Sequence, residues 1–143
     1  MNSKQLSIAA FICLVTANAI PAFSLAGTET FGFMASYLQF FAVLSSDLEP
    51  GQRPAAALGI IANLGFLATF FALLIGPRRL AKRIATVAAI SAFGSVTSLA
   101  FGIERFVPYP GCALWLATGV LLVIASSASR LVIPNQTADQ TLS

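Results

Sequence analysis

PAAALGIIANLGFLATFFALLIGPRRLAKR, residues 54–83, decides how this chain is to be read. From Pro54 to Ile75 there is no charged residue. A hydrocarbon core of roughly 30 Å needs about 20 apolar residues in helical form, so this run is a candidate membrane span. Pro54 suits a first helical turn, Gly76-Pro77 ends the run, and Arg78, Arg79, Lys82 and Arg83 follow at once. Three further stretches repeat the pattern: Gln5–Ala26, Ile84–Ile103 and Tyr109–Leu131. The expected fold is all-α, a four-helix transmembrane bundle, in one membrane domain over residues 1–133 with spans at about 5–26, 54–75, 84–103 and 109–131.

Composition agrees, with 57% of the 143 residues hydrophobic and 9% charged. Spans and short connections leave no room for a folded soluble domain, so any chemistry must happen in or against the membrane. The location of charge says more than its total of +3. Lys4, Arg78, Arg79, Lys82, Arg83 and Arg130 fall on one side, while Arg53 and Arg105 share the other with Glu29, Asp47, Glu49 and Glu104. Basic residues at span ends mark the cytoplasmic face, which gives an N-in/C-in topology. The Arg78–Arg83 cluster reads as a short topogenic loop rather than a nucleic-acid patch, and no nucleic-acid partner is expected. The polar tail 134–143 reads as disordered and cytoplasmic. Lys4, the apolar Ile8–Thr16 and Ala17-Asn18-Ala19 also compose a signal-peptide pattern, but apolar residues continue through Ile20, Phe23 and Leu25 to complete an uncut span.

Between the first two spans, Phe31–Leu44 is apolar, aromatic and too short to cross comfortably. A fifth crossing would also move the basic cluster to the wrong side. The segment therefore reads as an outer interfacial or re-entrant helix at about 31–44, with Thr28 and Glu29 as caps near its start and Asp47, Glu49, Pro50 and Gly51 closing it. Phe106–Gly111 reads as a rigid aromatic turn on the outer side, with Tyr109 and Trp115 in the aromatic belt.

Within the spans there is no Asp, Glu, Lys or His, and the one Arg, Arg130, closes the last of them. Pumps, proton-coupled transporters and histidine-ligated haem proteins depend on such groups, so these classes are set aside. Cys13 and Cys112 lie roughly 15 Å apart in depth, beyond disulfide reach, and read as packing residues. The outer carboxylates come without a nucleophile elbow, paired motif or metal-ligand spacing, so an enzyme using them is the least favoured reading; no cofactor or metal is expected. Asn18, Asn63, Ser95 and Thr118 fall at a common depth, roughly 13 Å from the outer boundary. The plain reading of this layer is interhelical hydrogen bonding; the functional one is the polar floor of a pocket with Trp115 near its mouth. Small-residue stripes, Gly94, Ser98 and Gly102 with Gly65, Ala68 and Ala72, point to close internal packing and leave a homo-oligomer open without supporting it.

Ile61-Ala62-Asn63-Leu64-Gly65-Phe66-Leu67 running into Gly76-Pro77-Arg78-Arg79, followed by Tyr109-Pro110-Gly111-Cys112-Ala113-Leu114-Trp115-Leu116, resembles small four-span bacterial inner-membrane proteins with an aromatic segment between spans one and two. The resemblance implies a fold and an inner-membrane location and no activity. Three functions compete. The first is a non-enzymatic interaction protein, an accessory subunit or immunity-type protein, meeting a membrane or periplasmic partner through Glu29, Phe31, Phe33, Tyr37, Phe40, Phe41, Asp47, Glu49 and Glu104. The second is a lipid or small apolar-ligand binder built on Asn18, Asn63, Ser95, Thr118 and Trp115. An enzyme using outer carboxylates is third.

Overall fold

The computed structural model describes residues 3–25, 27–44, 52–75, 77–102 and 106–128. In chain order the elements are α1 (Ser3–Ala19), β1 (Pro21–Leu25), β2 (Thr28–Phe31), α2 (Gly32–Leu44), α3 (Gln52–Ile75), α4 (Arg78–Gly102), β3 (Val107–Pro108) and α5 (Pro110–Ser127). Of these helices α3, α4 and α5 are long and apolar enough to cross a membrane. Helix α1 has 17 residues, about 25 Å of rise.

Small residues form the core and large ones the outer surface, the reverse of a water-soluble helical protein. Ala10, Ala62, Ala85, Ala88 and Ala92 are fully buried around Phe66 and Leu122, whereas Phe71, Leu74, Ile75, Ile90 and Phe101 are exposed. Helices in lipid gain little from hiding large apolar groups and associate instead where small side chains let backbones approach. Helices α3 and α4 form an antiparallel hairpin on that principle. A Cβ on Gly65 would come within 2.6 Å of the Ala88 Cβ, and at one end of the pair Ser95 Oγ donates to the Ala55 carbonyl at 2.7 Å. Helix α1 lies antiparallel to α5, with Ser3 Oγ donating to the Ala125 carbonyl at 2.9 Å.

The first apolar stretch is not one helix. It ends at Ala19, and Pro21–Leu25 is a strand. Proline at position 21 has no N–H to give, its ring would collide with the carbonyl four residues earlier, and it drives the preceding residue towards extended backbone. The freed Ile20 carbonyl is taken by the Gly32 N–H at 3.2 Å. Strand β1 is the centre of a three-stranded antiparallel sheet in the order β2-β1-β3. The β1–β2 turn uses Gly27 at φ 88°, a left-handed conformation that glycine adopts without a Cβ clash. The architecture is thus mostly helical with a small sheet, not purely α.

Three further expectations are corrected. Thr28 and Glu29 do not cap a helix but pair in β2 with Leu25 and Ser24, and Phe31 is the last residue of that strand. Val107 and Pro108 are a strand rather than a free turn, pairing with Ser24 and Phe23. Arg78–Arg83 is not a loop; α4 begins at Arg78, after Pro77, whose carbonyl accepts from Leu80 and Ala81. Residues 129–143, including Arg130 and the expected tail, lie outside the described residues, as do Asp47, Glu49, Glu104 and Arg105.

Helices α1 and α5 are six to eight residues shorter than α3 and α4, roughly 10 Å of length. At the sheet end this difference is occupied by the sheet and by α2. The latter runs antiparallel to α3, Ser36 facing Asn63 and Gln39 facing Gly59. The bundle therefore has a basic end, at Arg78–Arg83, and a capped end.

Candidate functional site: a polar cavity beneath the sheet

Beneath the sheet lies a cavity of about 40 Å³, bounded by α1, β1, α2, α3, α4 and α5. The space is more than a single water requires, since one probe sphere of roughly 10–15 Å³ suffices for that. Cavity and open mouth together enclose about 450 Å³.

Its organising residue is Asn63, midway along α3. Trp115 Nε1 of α5 donates to Asn63 Oδ1 at 2.8 Å. The Asn63 amide then donates to Ser36 Oγ at 3.2 Å and lies 3.5 Å from Gln39 Oε1, both on α2. Ser36 passes its own proton to the Gly32 carbonyl at 3.1 Å. One side chain thus joins three helices. A satisfied network of this kind is worth most where water cannot compete for its members. The Gln39 amide lies against Gly59, where any Cβ would collide with it, so the glycine lets α2 sit close to α3. Trp115 is held on its other side by an edge-on contact with Phe66, the ring centroids 5.9 Å apart at 72°.

Asn18, near the end of α1, lines the same cavity; its Nδ2 donates to the Leu14 carbonyl at 2.8 Å, and its Oδ1 has no donor among the described residues. Ser95 lines it from α4. Thr118 does not: it is fully buried, and its hydroxyl donates to the Leu114 carbonyl of its own helix at 3.0 Å. On the sheet side Phe23 and Phe106 close the cavity, their centroids 5.7 Å apart. The structure thus brings Asn18, Asn63, Ser95 and Trp115 to one cavity and leaves Thr118 outside it.

Ser36, Gln39 and Cys112 also line the cavity and were not singled out by the sequence reading. A signal existed for α2. Gly32, Ala35, Ser36 and Gln39 recur at i, i+3, i+4 and i+7, the spacing of one helical face, and are the only small or amide-bearing positions there besides Ala42. The opposite face carries Phe33, Tyr37, Phe40 and Phe41, all exposed. Tyr37 and Phe41 stack at 4.5 Å, and Phe40 meets Phe41 edge-on at 5.9 Å. Phe31 and Glu29 are exposed on β2. Both cysteines are free thiols.

Comparison with known protein families, with curated proteins and with solved structures returns no match.

Proposed function

We propose that this chain is a non-enzymatic four-span membrane protein, N-in/C-in, that binds a lipid or a small apolar ligand in the cavity beneath its sheet. The observation that carries the proposal is the convergence of five helices and a strand on a space lined by neutral polar groups around Asn63 and Trp115. A bundle that only needed to pack would have closed this space with apolar side chains, because uncompensated polar groups in an apolar interior are costly. In this topology Arg78–Arg83 meets cytoplasmic headgroups and α1 serves as the first span, completed by β1 in the outer interfacial region. The cavity then lies in the outer leaflet of what the resemblance suggests is a bacterial inner membrane. Helix α2 rests mainly on α3 and touches α1 over a narrower contact, so the α1–α2 seam is the side on which a lipid chain enters.

The test is native mass spectrometry of the chain purified in mild detergent. A retained lipid or apolar ligand is expected, with retention lost in Asn63→Ala and in the cavity-filling variant Val96→Phe at unchanged membrane yield. A ligand-free spectrum, or retention unaffected by both variants, overturns the proposal. The exposed rings of α2 favour a second reading, a protein partner docking on this face. It requires that Phe40→Ala with Phe41→Ala abolish co-purification of that partner while ligand retention is unchanged.

A further inference from the structure

Resting on the ligand-binding reading, we infer that the ligand's head is an uncharged group that both donates and accepts a hydrogen bond, a hydroxyl or a carboxamide, and that Gln39 and Asn18 read it. None of the described residues lining the cavity is Asp, Glu, Lys or Arg. The basic residues of α4 begin that helix at the opposite end of the bundle from the sheet. A phosphate, sulfate or ammonium head would be buried without a counter-charge, and the cost of such burial is several kcal/mol per ion even after relaxation. A neutral head avoids it.

The network shows which polar atoms remain for such a head. Trp115 Nε1 and Asn63 Oδ1 satisfy each other. Both Asn63 amide protons point at α2, to Ser36 and Gln39, and the Ser36 proton is spent on the Gly32 carbonyl. Ser95 gives its proton to the Ala55 carbonyl. Two groups are left. Gln39 accepts through Oε1, and its Nε2 has no acceptor among the described residues; Asn18 donates through Nδ2, and its Oδ1 has no donor among them. A free donor on α2 and a free acceptor on α1 flank one cavity. A hydroxyl or carboxamide complements both, whereas an ether or ester can use only the donor. A neutral acceptor lacking a proton leaves Asn18 Oδ1 buried and unpaired, which site-directed discrimination shows to be the expensive outcome.

Trp115 is the only tryptophan of the chain and lines this cavity, so it reports occupancy directly. The experiment uses the full chain in mild detergent and three probes brominated near the head: a fatty alcohol, its methyl ether and the matching alkyl sulfate. Saturable quenching of Trp115 by the alcohol is expected at a concentration about tenfold below that needed for the ether. The sulfate is expected not to saturate. Gln39→Met and Asn18→Leu each bring the alcohol to the level of the ether and leave the ether little changed; the two changes lie on different helices, so one folded variant is enough. Equal quenching by all three probes overturns the assignment of a neutral donor–acceptor head and leaves ligand binding standing. Absence of saturable quenching by every probe overturns both. Alcohol selectivity that survives both substitutions assigns recognition to other residues and overturns the roles of Gln39 and Asn18.

Discussion

Asn63 joins three helices through one amide, and that arrangement has a measurable coupling. Replacing Trp115 by Phe removes one donor and leaves the edge-on contact with Phe66 available; Asn63→Ala removes the acceptor together with both bonds to α2. The Trp115–Asn63 term in a double-mutant cycle is expected at about 0.6–2 kcal/mol, the range for polar contacts between membrane helices. Denaturation of the four proteins in mixed detergent micelles reads it, and additive effects would show that the bond contributes nothing. Asn63, Ser95 and Asn18 were legible in the sequence because a polar side chain inside an apolar run has few reasons to be there. Depth could be counted from helical rise, but rotation about the axis could not. Thr118 shares their depth yet turns to its own helix at Leu114. Ser36 and Gln39 escaped for a different reason: a helix expected in the headgroup region needs no buried partner for its polar groups, so nothing marked them as inward-facing.

At the scale of elements, two short features depart from simple span counting. Pro21 converts the end of an apolar run into the central strand of the sheet, which the hydropathy of Ile20, Phe23 and Leu25 conceals because a buried strand and a span share the same composition. Pro21→Ala permits α1 to continue by one turn and removes the reason for β1 to form. Faster amide exchange is expected at Tyr109, whose N–H donates to the Ala22 carbonyl at 2.9 Å; unchanged protection there would mean that strand pairing alone holds the segment. Gly59 performs the matching service for α2. Any Cβ at this position collides with the Gln39 amide, so Gly59→Ala is expected to cost about 1–3 kcal/mol as overpacking. Increased proteolysis or exchange confined to α2 is the readout, and a variant as stable and protected as the parent would contradict the close approach. The basic cluster was legible as a topology signal, but its secondary structure was not. Cations at a helix start oppose the dipole by roughly 0.3–1 kcal/mol each, and the i, i+4 pairs Arg78/Lys82 and Arg79/Arg83 repel. Strong helix formers and the fully buried Ala81 and Ala85 on the other side of α4 outweigh both.

At the scale of the whole molecule, the inside-out packing and the charge distribution were the readable features, since both follow from lipid as solvent: small residues where helices meet, large apolar residues outside, cations gathered at one end. The cap over the other end was not readable, because its parts are separated by more than eighty positions, from Phe23 to Phe106, and come together only through tertiary structure. Orientation ties these levels to function. If Arg78–Arg83 lies in the cytoplasm, the cavity opens within the outer leaflet and draws its ligand from there; the reverse orientation would give it the inner leaflet and a different pool of lipids. A chain with Cys13 and Cys112 replaced by Ala, carrying either Glu29→Cys on β2 or Arg79→Cys on α4, decides between them. Both positions are exposed and lie outside the apolar parts of the spans. An impermeant maleimide applied to intact cells is expected to label Glu29→Cys and to reach Arg79→Cys only after permeabilisation. The opposite pattern would overturn N-in/C-in, and with it the assignment of the cavity to the outer leaflet, while leaving the chemistry of Gln39 and Asn18 to be judged separately by the quenching of Trp115.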